Sequence, residues 1–171
     1  MVATRMRDTA FKRELASAAP GTRIRVEGPQ GDMVLHENAE RPAVFLAGGI
    51  GVTPFLSMAR DAAHRRLSHR MTLFYFNRRP ERAAFLDELM TLEQLNPNFH
   101  LVATVGNAER SSWSGETGPI RPEMLKRYVP DFSDPVFYFA GPHGMTLGME
   151  LMLNDLGVND DDMCFEEFYG Y

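Results

Sequence analysis

Three glycines and a Thr-Pro pair fall within one short stretch, Gly48-Gly49-Ile50-Gly51-Val52-Thr53-Pro54, directly after the apolar run Val44-Phe45-Leu46-Ala47. An apolar run of that length reads as a strand buried on both faces. Thr53 then reads as a helix N-cap and Pro54 as the first helical position. Strand, glycine turn and helix N-terminus form the arrangement that binds a phosphate. Glycines let the backbone approach an anion with no Cβ in the way, and the helix's unpaired N–H groups and positive dipole end face it. Gly49-Ile50-Gly51 supplies a tight turn, whereas Pro54 stands where a strict dinucleotide fingerprint carries its last glycine. Thr53 has a second reading beside the cap, as a hydroxyl donor to the ligand, and the two are compatible.

Other candidates follow from the elements that would carry them. From Ala43 onward the pattern alternates strand and helix, which implies a doubly wound α/β domain with a parallel sheet and right-handed crossovers. Strands are expected at residues 44–47, 71–76, 100–105, 135–139 and 163–165, and helices at residues 54–67, 82–95, 122–128 and 145–156. Ligands of such sheets bind beyond the carboxyl ends of the strands. That rule selects two further loops. Asn77-Arg78-Arg79 follows the second strand, where an acidic residue would suit a free ribose hydroxyl and arginine suits a 2′-phosphate. Ala140-Gly141-Pro142-His143-Gly144 follows the fourth. His143 is either a ligand contact or a solvated loop histidine. Met145, Met149 and Met152 recur at helical spacing as core filler would.

Ahead of this region the signals are weaker. Val2-Ala3-Thr4 reads as a short strand, and Asp8 or Thr9 can cap a helix over residues 10–16. Residues 23–27 alternate polar and apolar, as a half-buried strand does, and Met33-Val34-Leu35 reads as another. Residues 36–42 form a polar linker, which divides the chain into residues 1–40 and 41–171.

Composition narrows the class. The chain has 171 residues, 44% of them hydrophobic, with a net charge of −5. That is enough for one sizeable core, and the acidic balance argues against nucleic acid as a partner. One cysteine, Cys164, excludes an intramolecular disulfide and argues against a cysteine-held metal or iron–sulfur centre, so no metal is expected. No apolar run approaches the roughly 20 residues of a membrane span. The first residues lack the apolar core of a signal peptide, which reads as a cytoplasmic protein.

The string Ala47-Gly-Gly-Ile-Gly-Val-Thr-Pro54 resembles the nicotinamide-nucleotide site of the ferredoxin–NADP reductase family of flavoproteins. Upstream, Gly28-Pro29-Gln30-Gly31 is similar to the GPxG turn that ends the family's flavin-binding barrel. Downstream, Ala140-Gly141-Pro142 stands where many members carry Cys-Gly-Pro. The ending Glu166-Glu167-Phe168-Tyr169-Gly170-Tyr171 is similar to the aromatic-acidic C-terminus of several branches. The family's flavin-anchoring Arg-x-Tyr-Ser/Thr motif, which normally comes before the region where this chain begins, has no match.

The resemblance implies a partial antiparallel flavin barrel over residues 1–40, with an open edge able to pair with another chain, before an NAD(P)-binding domain over residues 41–171. It implies NAD(P)H and FAD as cofactors, with hydride passing from the nicotinamide to the flavin and electrons then to ferredoxin, flavodoxin, an oxygenase, free flavin or a quinone. Gly48, Gly49, Ile50, Gly51, Val52, Thr53 and Pro54 would hold the pyrophosphate, and Asn77, Arg78 and Arg79 the adenosine ribose, with the arginines tilting toward NADPH. Ala140, Gly141, Pro142, Gly144 and Met145 would lie under the nicotinamide ring. Thr53, Glu166 and Tyr171 are the candidate catalytic residues, with Glu167 and Tyr169 as alternates for the last two. Trp113 fits a family loop or simply packs on the core. The alternative is a nucleotide-binding module without activity of its own, dependent on a separate flavin-bearing partner.

Overall fold

The computed structural model describes residues 3–28, 31–108 and 113–168. Pro29 and Gln30 of the expected turn, and Tyr169 and Tyr171 of the expected C-terminal site, lie outside the described residues. The chain divides into two compact units, Met1–Asp32 and Met33–Tyr171.

The first unit contains α1 (Ala10–Ser17), whose Thr9 side chain accepts a hydrogen bond from the Lys12 N–H as an N-cap should. It contains no strand among its described residues. The expected strand at residues 23–27 does not form, and Ile24 and Val26 are each 64% exposed. Alternation marks a strand only where a neighbouring strand takes its N–H and C=O groups and a core takes its apolar face. Neither is present here, so the antiparallel remnant and its open edge are absent among the described residues. Met33-Val34-Leu35 is likewise not a strand.

The second unit is a six-stranded sheet in the order β4-β3-β2-β1-β5-β6, with every pairing parallel. Its strands are β1 (Ala43–Gly48), β2 (Met71–Asn77), β3 (Phe99–Val105), β4 (Glu116–Thr117), β5 (Val136–Gly141) and β6 (Met163–Glu167). Its helices are α2 (Thr53–Arg65), α3 (Leu86–Leu95), α4 (Pro122–Tyr128) and α5 (His143–Asp155). Side chains alternate between two cores. Phe45, Leu73, Tyr75 and Tyr138 face α2 and α3, while Leu46, Phe74, Phe137 and Phe139 face α4 and α5. Every residue of β1 and β5 is buried, which is why those strands are unbroken apolar runs. Each fully buried Phe or Leu contributes about 1.5–3 kcal/mol over leaving it exposed. Met33 and Leu35 pack on the α2–α3 side, so the segment before β1 closes part of that face.

Several expected boundaries move. α2 starts at Thr53 after a 3-10 turn over Gly49–Val52, so Thr53 is already helical and is not an N-cap; its hydroxyl donates to the Ile50 carbonyl at 3.1 Å. α3 starts at Leu86 rather than residue 82, because Pro80–Arg82 form a 3-10 turn and Phe85 takes a left-handed φ of 62°. β5 extends through Gly141 and α5 begins at His143, leaving Pro142 alone between them. No helix among the described residues is long and apolar enough to cross a membrane.

Candidate functional site

The chain leaves β1 toward β2 on one side of the sheet and returns later to place β5 on the other. The crevice between the carboxyl ends of β1 and β5 is therefore the topological switch point, where open α/β sheets bind ligands. Both of the glycine-bearing segments singled out from the sequence end there.

Gly49 has φ +55°, and a Cβ built on it would meet nothing within 4 Å, so its backbone is bare toward the opening. Gly51 does the opposite work. A Cβ there would overlap the Ala140 carbonyl oxygen, so only glycine lets the turn lie flat on the end of β5. Gly48 and Gly141 end β1 and β5 and share a neighbour, the Met145 sulfur: a Cβ on Gly48 would overlap it, and one on Gly141 would lie 3.1 Å away. Ile50 and Pro54 complete the turn and the helix start, with Val52 buried beneath them.

Ala140 and Gly141 are strand residues rather than loop residues, and His143, Gly144 and Met145 form the first turn of α5. A Cβ on Gly144 would meet nothing within 4 Å. The end of β6 is tied to this turn. The Phe168 N–H donates to the Gly141 carbonyl at 3.0 Å, and His143 Nδ1 lies 2.8 Å from Glu167 Oε1. The Thr146 hydroxyl donates to the His143 carbonyl at 2.8 Å and lies 3.3 Å from the same Glu167 oxygen. Of the two acids, Glu167 is thus the one fastened to the third segment. Glu166 pairs through its backbone opposite Ala140, half-buried. His143 is a bonded residue rather than a freely solvated one.

The second segment is also braced. Asn77 ends β2 and is buried, and its carbonyl accepts from the Gly106 N–H at 2.8 Å, while the Arg78 carbonyl accepts from the Asn107 N–H at 3.1 Å. The loop after β3 thus forms the outer wall of this part of the site. Gly106 and Asn107 are not singled out by their residue types; the rule that ligands gather beyond strand ends is the signal that could have found them. Arg78 and Arg79 are exposed, and neither joins an ion pair among the described residues. Further out, Trp113 covers Gly115 and donates to the Glu116 carbonyl at 2.8 Å. The Glu116 carboxylate accepts from the Tyr128 hydroxyl at 2.8 Å, a bond that raises the Tyr128 pKa, and pairs with Arg127.

Residues 45–150 match the oxidoreductase NAD-binding domain family. Among curated proteins, the chain is 34% identical over 161 residues to a subunit of the Na(+)-translocating NADH-quinone reductase of Klebsiella pneumoniae, covering 90% of this chain and 39% of that protein. The chain thus spans about two fifths of that relative's length. Among solved structures, the cytochrome b5 reductase domain of Ulva prolifera nitrate reductase superposes with a TM-score of 0.78 at 20% identity, covering 92% of this chain and 66% of that one. The ferredoxin NADP+ reductase of Neisseria gonorrhoeae, with bound FAD and NADP, superposes with a TM-score of 0.74 at 22% identity, covering 95% and 71%. At such identities the superpositions speak for the fold. The family match over most of the sheet shows that the chain belongs to the oxidoreductase NAD-binding domain family, with a fold like that of ferredoxin NADP+ reductase.

Proposed function

We propose that this chain binds NAD(P)H across the β1–β5 crevice and serves as the nucleotide half of a flavin oxidoreductase. The observation that carries this reading is the cradle itself: Gly49 open, Gly51 pressed onto Ala140, and α2 beginning at the turn. A Cβ at position 51 would push the turn off the strand end, so the glycines are explained by close approach of backbone to backbone and of backbone to ligand. Arg78 and Arg79 suit the 2′-phosphate of NADPH. Thr53, with its hydroxyl on the Ile50 carbonyl, steadies the turn beside the ring. The Glu167–His143–Thr146 cluster does the same for the segment beneath it, while Glu166 and Tyr171 stand as candidates near the reacting edge. A bound FAD supplies the two-electron acceptor and the route onward to ferredoxin, flavodoxin, an oxygenase or a quinone. The protein's own contribution is to hold the two rings in register. The setting is the cytoplasm, where the single thiol stays reduced.

A second reading has its own support. Residues 3–28 hold no strand and leave Ile24 and Val26 exposed, so the described residues offer no β framework for a flavin. The chain would then be an NAD(P)-binding module working with a separate flavin-bearing partner.

One titration series separates these. NADPH and NADH are titrated into the purified chain, then FAD is added, free dye removed and the visible spectrum recorded. Saturable dinucleotide binding is expected, with Gly51→Ala weakening it at least tenfold and Gly148→Ala, in open space on α5, leaving it unchanged. Retained flavin that bleaches anaerobically on adding NAD(P)H supports the enzyme. Dinucleotide binding without retained flavin supports the module. A chain that binds neither dinucleotide overturns both.

A further inference from the structure

α5 follows β5 after a single residue, so its first turn overhangs the end of the sheet. Met145 is the third residue of that turn, and its sulfur rests on Gly48 and Gly141, the last residues of β1 and β5. These two glycines flank the switch point. Met145 is half-buried; part of its side chain packs on the core beneath α4 and α5, and the remainder is accessible. Met58, Met71 and Met124, in contrast, are shut inside the cores, and Met90 faces solvent from α3.

We propose that Met145 is a peroxide-sensitive modification site whose conversion to the sulfoxide closes the nucleotide crevice. This rests on the reading of that crevice as the NAD(P)H site. The oxidant is a hydroperoxide: its O–O bond breaks as an S–O bond forms, the sulfur loses two electrons, and the peroxide leaves as water or alcohol. The two glycines lie against the sulfur, and in this proposal the oxygen adds on the side toward the crevice. A sulfoxide oxygen is bulky and carries partial negative charge. Both properties oppose a dinucleotide whose pyrophosphate is drawn to the same strand ends by backbone N–H groups. The coupling is reciprocal, so a bound dinucleotide that covers the sulfur slows its oxidation.

The test treats the full chain with hydrogen peroxide, with and without saturating NADPH, and maps sulfoxide by peptide mass spectrometry while NADPH affinity is measured in parallel. Met145 is expected to oxidise at a rate near that of Met90 and far ahead of Met124. NADPH should slow Met145 at least tenfold and leave Met90 unaffected. Affinity should fall at least tenfold in proportion to the Met145 sulfoxide and return after treatment with methionine sulfoxide reductase. Met145→Leu should keep, through peroxide treatment, whatever affinity it has at the start. The inference is overturned if Met145 stays reduced alongside Met124, or if it oxidises while affinity holds. An untreated chain that binds neither NADPH nor NADH instead overturns the crevice reading, and this inference with it.

Discussion

His36 is held through its backbone N–H and both ring nitrogens. Its backbone N–H donates to the Tyr138 hydroxyl at 2.9 Å, and its Nδ1 lies 3.0 Å from the same hydroxyl. A carbonyl can only accept, so Nε2–H donates to the Arg41 carbonyl at 3.0 Å. His69 donates from Nε2 to the His36 carbonyl at 2.8 Å, and its Nδ1 is buried without a hydrogen-bond partner among the described residues. Burial lowers the His36 pKa below its usual 6.5; the Arg41 carbonyl opposes this, and the charges of His69 and Arg41 add to it. The unfolded chain therefore takes up a proton at His36 at higher pH than the folded chain does. Stability from this site is fully present above about pH 6.5 and is lost as pH falls from there toward the lower folded value. Urea midpoints measured from pH 8 to 5 should fall across that window, and His36→Phe should flatten that part of the profile. An unchanged slope in the variant would assign the effect elsewhere.

At the scale of elements, helix ends decide where the chain turns. α2 stops at Arg66, which adopts φ 55° and ψ 45° and donates its N–H back to Ala62 and Ala63. The Leu67 N–H reaches the Ala62 carbonyl at 2.9 Å, and Leu67 packs on the core. This is a left-handed helix stop of the kind that glycine normally occupies. An exposed non-glycine residue in that conformation costs about 1–2 kcal/mol. Arg66→Gly should therefore stabilise the fold by about 1 kcal/mol, read as a higher urea midpoint at constant m-value. A loss of stability would mean that the arginine side chain makes a compensating contact. Phe85 also has a positive φ, but it packs on the core, so glycine there would forfeit apolar burial.

For the molecule as a whole, cohesion is unevenly distributed. The central strands β1, β2 and β5 bond to neighbours on both sides and carry most of the fully buried aromatic side chains. The backbone of residues 23–28 enters no backbone–backbone hydrogen bond among the described residues. Hydrogen exchange should register this contrast. Amides of β1 and β5 should exchange only through global unfolding, at a cost of about 5–15 kcal/mol, while residues 23–28 exchange at nearly unprotected rates. Slow exchange in residues 23–28 would show that the segment finds a strand partner in solution.

Much of the second unit was legible in its residues. A strand buried on both faces must be apolar throughout, so 44–47, 71–76 and 135–139 announced themselves, and the glycines after β1 marked a close backbone approach that only they permit. Local chemistry sufficed there because each signal depends on residues adjacent in sequence. Pairing does not. Residues 23–27 carry the pattern of a strand and are not one, because a strand exists only with a partner. Glu166 and Glu167 are indistinguishable in composition. The register that sets Glu167 opposite Gly141 fastens its carboxylate to His143 and Thr146. By spacing Met145 reads as core filler and by resemblance as a residue under the nicotinamide ring, and the overhang of α5 put its sulfur on the strand ends. The alternation of strand and helix and the place of the glycine turn were thus dictated locally, through backbone sterics and apolar runs. Which strands are neighbours, which face each side chain takes and which groups meet at the switch point were settled only on folding, because those contacts join residues about a hundred positions apart.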